Sequence, residues 1–289
     1  MFLKYRRAPF YLYFANWRRL MFYNDGYVVR SSLLDIPGVA HCFSTRLGGV
    51  STLPHTAGMN IARGHGDSDE TVLRNTDILV GLMTDGRFGS ADAVCAHQIH
   101  SAKVRVIDRS NCGEGNTRDA GEDCDGYVTD TSGVVPIVRT ADCVPIIMCA
   151  ERDDGTPVVS ALHAGWRGTV AGIAAEGVRL MCSLGADVKS IRAAIGPHID
   201  FCCFEVGEDL LEAVISTCGE DFARRHIRLN GTLHADLTGM NREILLEAGV
   251  SENNIDFSEE CTCCLGEKYH SHRRGKGKRG TMGSGIVIL

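Results

Sequence analysis

The residues best suited to chemistry are a cysteine and a histidine at the base of one predicted hairpin. Two apolar runs, Val144–Cys149 and Val158–Leu162, flank a polar segment whose Asp-Gly pair is typical of a turn between strands. With the turn centred near Asp153, Cys143 before the first strand lies opposite His163 at the end of the second. Directly opposed residues are about 4.5–5.5 Å apart at Cα, so a thiolate and an imidazole there can share one metal ion or exchange a proton.

A third donor comes from an earlier predicted strand, Val94–His100, which ends in the pair His97-x-x-His100. His100, Cys143 and His163 would leave a fourth tetrahedral position for water or substrate, as catalytic zinc sites do. Two histidines and one cysteine also hold copper in some proteins. Without a metal, the same residues predict a Cys143 nucleophile activated by His163, and the simplest alternative is a set of buried core side chains.

Two loops are suited to an anion. Arg46 precedes a Gly-Gly pair at the end of a predicted strand, where a guanidinium and exposed backbone N–H groups can meet. The alternative there is a plain turn with a surface arginine. The glycine-rich turn at 165–168 enters a predicted helix, whose first N–H groups lack partners and attract negative charge. This turn does not have the Gly-Lys-Ser/Thr ending of a nucleotide-binding P-loop.

Composition narrows the class of protein. The 289 residues carry a formal net charge of -6, which argues against nucleic acid as a partner because neutralising phosphates requires a basic surface. No run reaches the roughly 18 apolar residues needed to span a bilayer, so no membrane partner is predicted. The 13 cysteines are odd in number and irregular in spacing, which indicates free thiols in a reducing compartment. The predicted location is therefore the cytoplasm.

The chain is predicted to contain one folded domain after a short extension. Residues 1–24 carry basic side chains and no acidic one, without the apolar core or cleavage site of a signal peptide, and Met21 is an equally good functional start. Residues 25–289 are predicted to form a single compact α+β domain, in which mixed β-sheets flanked by helices build a layered sandwich. The predicted helices span 68–82, 169–184, 208–217 and 236–248, the last with Asp236 as N-cap.

Two further groups of cysteines are predicted not to bind metal. Cys202 and Cys203 are adjacent, and neighbouring residues of a strand point to opposite faces, so they are predicted to be core thiols. Cys261, Cys263 and Cys264 resemble part of a thiolate cluster. No second Cys or His pair at zinc-finger spacing completes that cluster, so structural zinc is not expected there.

Eight short segments, in the same order along the chain, resemble those of the YfiH-type laccase-domain family. Together they cover the sequence from about His41 to the end, and so many linked motifs make a chance match very improbable. The segments are Phe43–Ser51, Gln98–His100, Cys124–Gly126, Thr140–Pro145, His163–Gly168, Ile195–Pro197, Cys203–Val206 and Ser271–Arg274.

The resemblance implies a function. Members of this family bind zinc through residues matching His100, Cys143 and His163, and they phosphorolyse adenosine, inosine, guanosine and methylthioadenosine and deaminate adenosine. An older name, polyphenol oxidase or laccase with copper, also belongs to the family. A multicopper oxidase needs many histidine ligands, and this chain has 11 histidines with one His-x-His pair. Zinc is therefore the predicted cofactor, with copper as the alternative, and a metal-dependent binding module is the non-enzymatic alternative.

The reactions that the resemblance implies need side chains that handle the nucleoside and phosphate. Arg46, Arg167 and Arg273 are available for phosphate or ribose, with Asn60 and Gln98 as polar positioners. A proton shuttle for deamination would be Asp142, beside the cysteine ligand, or alternatively Glu205.

The closing segment departs from the family, because Thr281 stands where an arginine is usual. If that arginine binds phosphate in the family, either Lys278 or Arg279 must replace it here or the activity is weakened. Oligomeric state is not predicted.

Overall fold

The computed structural model describes residues 21–289. The predicted extension, residues 1–24, therefore lies almost entirely outside the described residues. Its last residues, from Phe22 onward, belong to a strand that pairs with the next strand of the chain. The division of the chain at residue 25 remains a prediction.

Two six-stranded sheets form the centre of the described chain, and each mixes antiparallel with parallel pairs. The first has the order β1-β2-β3-β14-β7-β4 and the second the order β13-β10-β8-β9-β6-β5, while β11 and β12 form a separate hairpin. The strands are β1 Phe22–Asp25, β2 Val28–Ser31, β3 Val39–Ser44, β4 Ala93–Val94, β5 Val104–Val106, β6 Gly126–Thr129, β7 Val135–Thr140, β8 Val144–Glu151, β9 Pro157–Ala164, β10 Arg192–Ile195, β11 Ile227–Asn230, β12 Thr232–Ala235, β13 Ile255–Phe257 and β14 Met282–Ile288.

Seven α-helices accompany the sheets within the described residues, and most of them cover the outer faces of the sheets. They are α1 Asp69–Thr84, α2 Trp166–Val170, α3 Ile173–Ser183, α4 Glu208–Cys218, α5 Glu220–His226, α6 Leu237–Glu247 and α7 His272–Gly275. One apolar cluster lies between the two sheets, a second between the second sheet and α3 to α6, and a third between the first sheet and α1. The predicted fold class, mixed sheets in a single layered domain flanked by helices, is confirmed.

Three of the predicted helices agree with the structure to within about two residues, and one is interrupted. Asp236 caps α6 as expected, since its carboxylate accepts a hydrogen bond from Gly239 N–H. The helix predicted for 169–184 begins earlier and is broken into α2 and α3, because Gly172 adopts a left-handed φ of 80° between them. Among the described helices, none combines the length and the apolar character needed to cross a membrane.

The central hairpin exists, but its predicted register was wrong by two residues. β8 and β9 pair antiparallel with Pro145, not Cys143, opposite His163. Side chains alternate between the two faces of a strand with a period of two, so a shift of two residues keeps Cys143 on the side of the sheet that His163 uses. The two residues are therefore diagonal neighbours rather than directly opposed, and they still meet.

Candidate metal centre and cleft

The three predicted metal ligands come together at one point. The side-chain donor atoms of His100, Cys143 and His163 all lie within 4.8 Å of one another. Cys143 Sγ is 3.8 Å from His100 Nε2, and the two imidazole rings are nearly perpendicular with centroids 4.9 Å apart. A tetrahedral zinc with Zn–S of about 2.3 Å and Zn–N of about 2.0–2.1 Å would separate sulfur from nitrogen by about 3.6 Å. The observed sulfur-to-nitrogen distance and the type of the three donors therefore fit a zinc ion.

Each ligand is presented by a different backbone element. Cys143 ends the three-residue connection between β7 and β8, and His163 lies one residue before the end of β9. His100 is not at a strand end as predicted, because β4 stops at Val94 and His100 lies in the following loop with a φ of 59°. That left-handed conformation is uncommon for a residue with a side chain. It turns the imidazole toward the hairpin.

Gly165 leaves the space in which the donors meet. A Cβ at this position would lie 2.8 Å from His100 Cδ2, 3.3 Å from Cys143 Sγ and 3.6 Å from His163 Cε1. Carbon atoms in non-bonded contact are normally about 3.5–4.0 Å apart, so a methyl group here would displace at least one ligand. Because Gly165 follows β9 directly, its lack of a side chain is a requirement of the site rather than of the turn alone.

Replacing Gly165 by alanine is expected to push His100 away from the other two ligands and to lower activity about 100-fold, since displacements near 1 Å at a reacting centre have effects of that size. Zinc content per chain, measured on purified protein, should fall with the activity. Gly81→Ala is the control, because a Cβ there meets nothing within 4 Å. Retention of wild-type zinc content by Gly165→Ala would contradict this placement of the ligands.

A fully buried carboxylate, Asp125, organises the centre from behind. His163 Nδ1 donates to Asp125 Oδ1 at 2.8 Å, which leaves His163 Nε2 free to face the metal position. The backbone N–H of His100 donates to the same oxygen at 2.9 Å, and Ser101 donates to the other oxygen from its backbone N–H and its hydroxyl. One carboxylate therefore fixes the positions of two of the three ligands.

Asp125 was missed as a site residue in the sequence, although it lies within the resembling segment Cys124–Gly126. β6 begins at Gly126, directly after this residue. The available indication was chemical. A histidine that ligates a metal usually donates its other ring N–H to a carboxylate or carbonyl group, so an acidic residue within a motif that accompanies a histidine ligand is a candidate partner.

Burial and hydrogen bonding oppose each other at Asp125. Burial raises the pKa of the carboxyl group, but the hydrogen bonds from His163 and Ser101 outweigh it and lower the pKa to about 2 from its usual 3.8. At Cys143, burial raises the pKa of the thiol, yet the nearby His163 and His100 bring it below its usual value. At His163, burial lowers the pKa, but Cys143 and Asp125 raise it overall. Without a metal, the centre therefore favours a thiolate beside an imidazolium.

Asp125→Asn is expected to weaken zinc binding by about 10–100-fold, because it removes the charge that holds the His163 tautomer. Titration of the metal-free protein with zinc against a competing chelator measures this loss. Ser110→Ala is a suitable control, since that residue lies on an exposed loop.

The same variant should also change the dependence of stability on pH. The folded pKa of Asp125 is depressed, so its contribution to the free energy of unfolding is complete above pH 3.8 and is lost as the pH falls through about 2. Chemical denaturation should therefore show a difference between wild type and Asp125→Asn that is large at pH 7 and shrinks in acid. A difference that does not change with pH would contradict this account.

The centre lies in a cleft of about 1040 Å³. All three ligands line it, together with the aromatic side chains Trp166 and Phe204. Five guanidinium groups also line the cleft, and the acidic residues among its lining are fewer. The arginines are Arg63, Arg118, Arg139, Arg273 and Arg279.

Comparison with known proteins shows the family of this chain. A profile of the family described as multi-copper polyphenol oxidoreductase laccase matches residues 40–289. The chain belongs to this laccase family. It is 37% identical over 243 residues to adenosine deaminase RL5 from an unknown prokaryotic organism, with 80% of this chain and 87% of that protein covered. It is 34% identical over 253 residues to a purine nucleoside phosphorylase of Deinococcus radiodurans, with 86% and 90% covered.

A solved structure shares the fold. The crystal structure of the hypothetical protein YfiH from Bacillus licheniformis superposes with a TM-score of 0.84 at 27% identity, covering 93% of this chain and 99% of that one. The resemblance to the YfiH-type laccase-domain family is thus confirmed.

Two of the predicted substrate-binding residues of this laccase-family chain line the cleft. Gln98 is held by two hydrogen bonds to the backbone of Arg139, one through each end of its amide, both 2.8 Å. Arg273 donates to the carbonyl oxygens of Cys203 and Glu205, at 2.9 and 2.8 Å. Arg273 is exposed, so its guanidinium borders the cleft and also binds the wall beside it.

The other three lie outside the lining of the cleft. Arg46 donates to the Gly266 carbonyl at 2.9 Å. Arg167 is exposed and stacks on the Trp166 ring, with its guanidinium carbon 4.1 Å from the ring centroid. Asn60 is fully buried and binds Ala62, Asp67 and the backbone N–H of Thr281. It therefore holds the loop that follows it against the start of β14.

Neither candidate proton shuttle presents an unbonded carboxylate to the cleft. Asp142 lines the cleft, but one of its carboxylate oxygens accepts from Thr262 and the other from Ser271 and the backbone N–H of Arg273. Those bonds hold Asp142 at a φ of 92°, a conformation that is strained for a residue other than glycine. Glu205 is exposed and lies outside the lining of the cleft.

Arg279 contacts Thr281, the position at which this sequence lacks the arginine that is usual in the family. It lines the cleft and donates to His65 Nε2 at 2.8 Å and to the Thr281 hydroxyl. Its Nε is buried and has no hydrogen-bond partner within residues 21–289. His65, also in the lining, was not identified from the sequence. Burial and the adjacent guanidinium lower the pKa of His65, so it accepts this hydrogen bond as a neutral ring.

Proposed function

We propose that this protein is a zinc-dependent purine nucleoside phosphorylase that also deaminates adenosine. Its nucleoside substrates would be adenosine, inosine, guanosine and methylthioadenosine, with phosphate as the second substrate. The observation that carries the proposal is the convergence of His100, Cys143 and His163 in a cleft lined by cationic side chains. Relatives named purine nucleoside phosphorylase and adenosine deaminase support the same two activities.

His100, Cys143 and His163 would hold the zinc ion through two nitrogens and one sulfur. A zinc ion bound there supplies a Lewis acid that polarises a substrate atom and activates water. Asp125 keeps His163 Nδ1 protonated, and its bonds to His100 and Ser101 keep the other ligand loop in place. The ligands are therefore fixed before substrate arrives, which lowers the cost of reaching the productive geometry.

The cleft also suits the two substrates of phosphorolysis. In that reaction the bond from ribose C1′ to the purine nitrogen breaks, a phosphate oxygen bonds to C1′, and a proton goes to the departing purine. Arg279 and Arg139 both line the cleft, and a guanidinium group is a donor suited to phosphate oxygens. Trp166 and Phe204 offer aromatic faces against which a purine can pack.

A four-copper oxidase finds less support in the residues present. Within residues 21–289, two groups of three or more His, Cys, Asp or Glu side chains are close enough to share a metal ion, and only one of them contains histidine. A trinuclear copper cluster with a separate blue-copper centre requires more histidine ligands than that group contains.

All 13 cysteines are free thiols, which supports the cytoplasm as the proposed location.

The test is turnover of nucleosides by the zinc-loaded protein. Adenosine with phosphate should give adenine, inosine, hypoxanthine and ribose 1-phosphate, and omission of phosphate should leave inosine as the product. Absence of all four products from protein that contains zinc would exclude the proposal and leave a metal-dependent binding module. Oxygen consumption with a phenol, together with several coppers per chain, would instead establish the oxidase.

A further inference from the structure

Four cysteines from two distant parts of the chain meet on one side of the domain. The sulfur atoms of Cys202, Cys203, Cys261 and Cys264 all lie within 4.8 Å of one another. Cys264 Sγ is 3.4 Å from Cys203 Sγ and 3.5 Å from Cys202 Sγ, and the two adjacent cysteines are 3.8 Å apart. None of these residues belongs to the donor set of the cleft.

The prediction that Cys202 and Cys203 are core thiols on a strand was wrong. Cys202 and Cys203 are not on a strand but in a turn, where the N–H groups of Cys203 and Phe204 both donate to the Asp200 carbonyl. The turn points both sulfurs to the same side, and Cys202 is exposed rather than in the core. The second pair needed to complete the cluster therefore exists, but about 60 residues away in sequence.

Parallel pairing of the two segments brings the thiols together. β10 pairs in parallel with β13, and beyond the ends of both strands His198 and Cys261 form an isolated parallel bridge. Thr262 N–H donates to the His198 carbonyl at 2.9 Å there. The chain then turns at 201–203 in one segment and at 262–264 in the other. Two tight turns that follow paired segments present four sulfurs to a common centre.

The spacing of the sulfurs fits one metal ion. Four thiolates at about 2.3 Å around a tetrahedral zinc are about 3.8 Å apart, close to the 3.4–3.8 Å observed among Cys202, Cys203 and Cys264, and Cys261 Sγ lies within 4.8 Å of all three. A disulfide would instead bring two of the sulfurs to about 2.0 Å. We propose that Cys202, Cys203, Cys261 and Cys264 bind a second zinc ion in a closed, four-thiolate structural site that is separate from the cleft.

The surroundings suit a centre with net negative charge. Four thiolates and one divalent cation carry a charge of about −2, which needs nearby donors and cations. The Asp200 N–H points at Cys261 Sγ at 3.4 Å. Arg273 donates to the Cys203 carbonyl, and Arg274 donates to the carbonyls of Cys263 and Cys264. One guanidinium thus holds each of the two cysteine turns.

The proposed site would hold one wall of the cleft in place. Arg273 and Arg274 belong to α7, whose N-cap Ser271 donates to Asp142 beside the ligand Cys143. Phe204 lines the cleft and follows Cys203 directly. A metal that joins the two cysteine turns would therefore fix the relative positions of Phe204 and Arg273. This structural role does not depend on which reaction the cleft performs.

Metal analysis of the full-length chain, purified under reducing conditions and supplied with zinc, tests the proposal. Wild type should contain two zinc ions per chain, and Cys143→Ala should contain one, which isolates the four-thiolate site. Cobalt loaded into Cys143→Ala should give the strong visible bands of tetrahedral thiolate coordination. Chelation of the remaining metal should lower the Tm of this variant.

Variants of the cluster define the ligand set. Cys202→Ser with Cys264→Ser should retain one zinc ion of two, and Cys263→Ser is the matched control because it lies in the same turn outside the set. The double variant should keep its remaining zinc even if it is less stable, and circular dichroism reports whether it folds. Three results would overturn the proposal. The first is a Cys143→Ala protein whose four cluster thiols are reduced but hold no zinc. The others are iron bound in place of zinc and native disulfides among these cysteines.

Discussion

Cys143→Ala is expected to remove the metal from the cleft and to lower kcat/KM for both phosphorolysis and deamination by about 10³-fold or more. The sulfur is one of three donors, and the loss of Lewis-acid assistance is worth several kcal/mol, of which each 1.4 kcal/mol is about tenfold in rate. His100 and His163 remain, but two imidazoles form a much weaker site than the three-ligand set. Initial rates with adenosine, with and without phosphate, measure both losses in one preparation.

The control for this prediction is another cysteine in a comparable environment. Cys182 is half-buried on α3 and lies outside both metal-binding groups, so Cys182→Ser should keep zinc content and turnover close to wild type. If Cys143→Ala keeps its activity while zinc is lost from the cleft, the metal is not required for the reaction. If only deamination is lost, the metal serves one reaction and not the other.

Arg279→Met is expected to separate the two activities. Arg279 lines the cleft with its cationic guanidinium group, so its loss should lower kcat/KM for phosphate about 100-fold, which corresponds to about 2.7 kcal/mol. Deamination of adenosine uses water and not phosphate, and its rate should change little. Phosphorolysis of inosine at varied phosphate, followed by release of hypoxanthine, gives the first quantity, and conversion of adenosine to inosine without phosphate gives the second.

Lys278→Met is the matched control, because Lys278 is adjacent and exposed and does not line the cleft. It removes the same charge from the same segment, so a general electrostatic effect would appear equally in both variants. Equal loss of phosphorolysis and deamination in Arg279→Met would mean that this residue maintains the site as a whole. In that case, the phosphate-binding role would pass to another arginine of the cleft.

Much of the fold could be predicted from local patterns in the sequence. The hairpin of β8 and β9 was predictable because both runs are apolar and the Asp-Gly turn between them is short. The cap of α6 was predictable because an aspartate precedes its apolar periodicity. The register was not predictable to the residue, because a polar turn of six residues permits several pairings and only sheet packing selects one of them. The predicted ligands still lie together despite the wrong register, since the period of two keeps Cys143 on the same side of the sheet as His163.

The features that could be predicted from the sequence are local: the residue types able to bind a metal, the hairpin that brings two of them together, and the segments that resemble a known family. The remaining features depend on contacts between residues that are distant along the chain. Asp125 behind His163, Arg279 beside His65, and the approach of Cys202 and Cys203 to Cys261 and Cys264 are of this kind. The physical reason is that each follows from strand pairing and layer packing across the domain, where the spacing of residues along the chain carries no information about their separation in space.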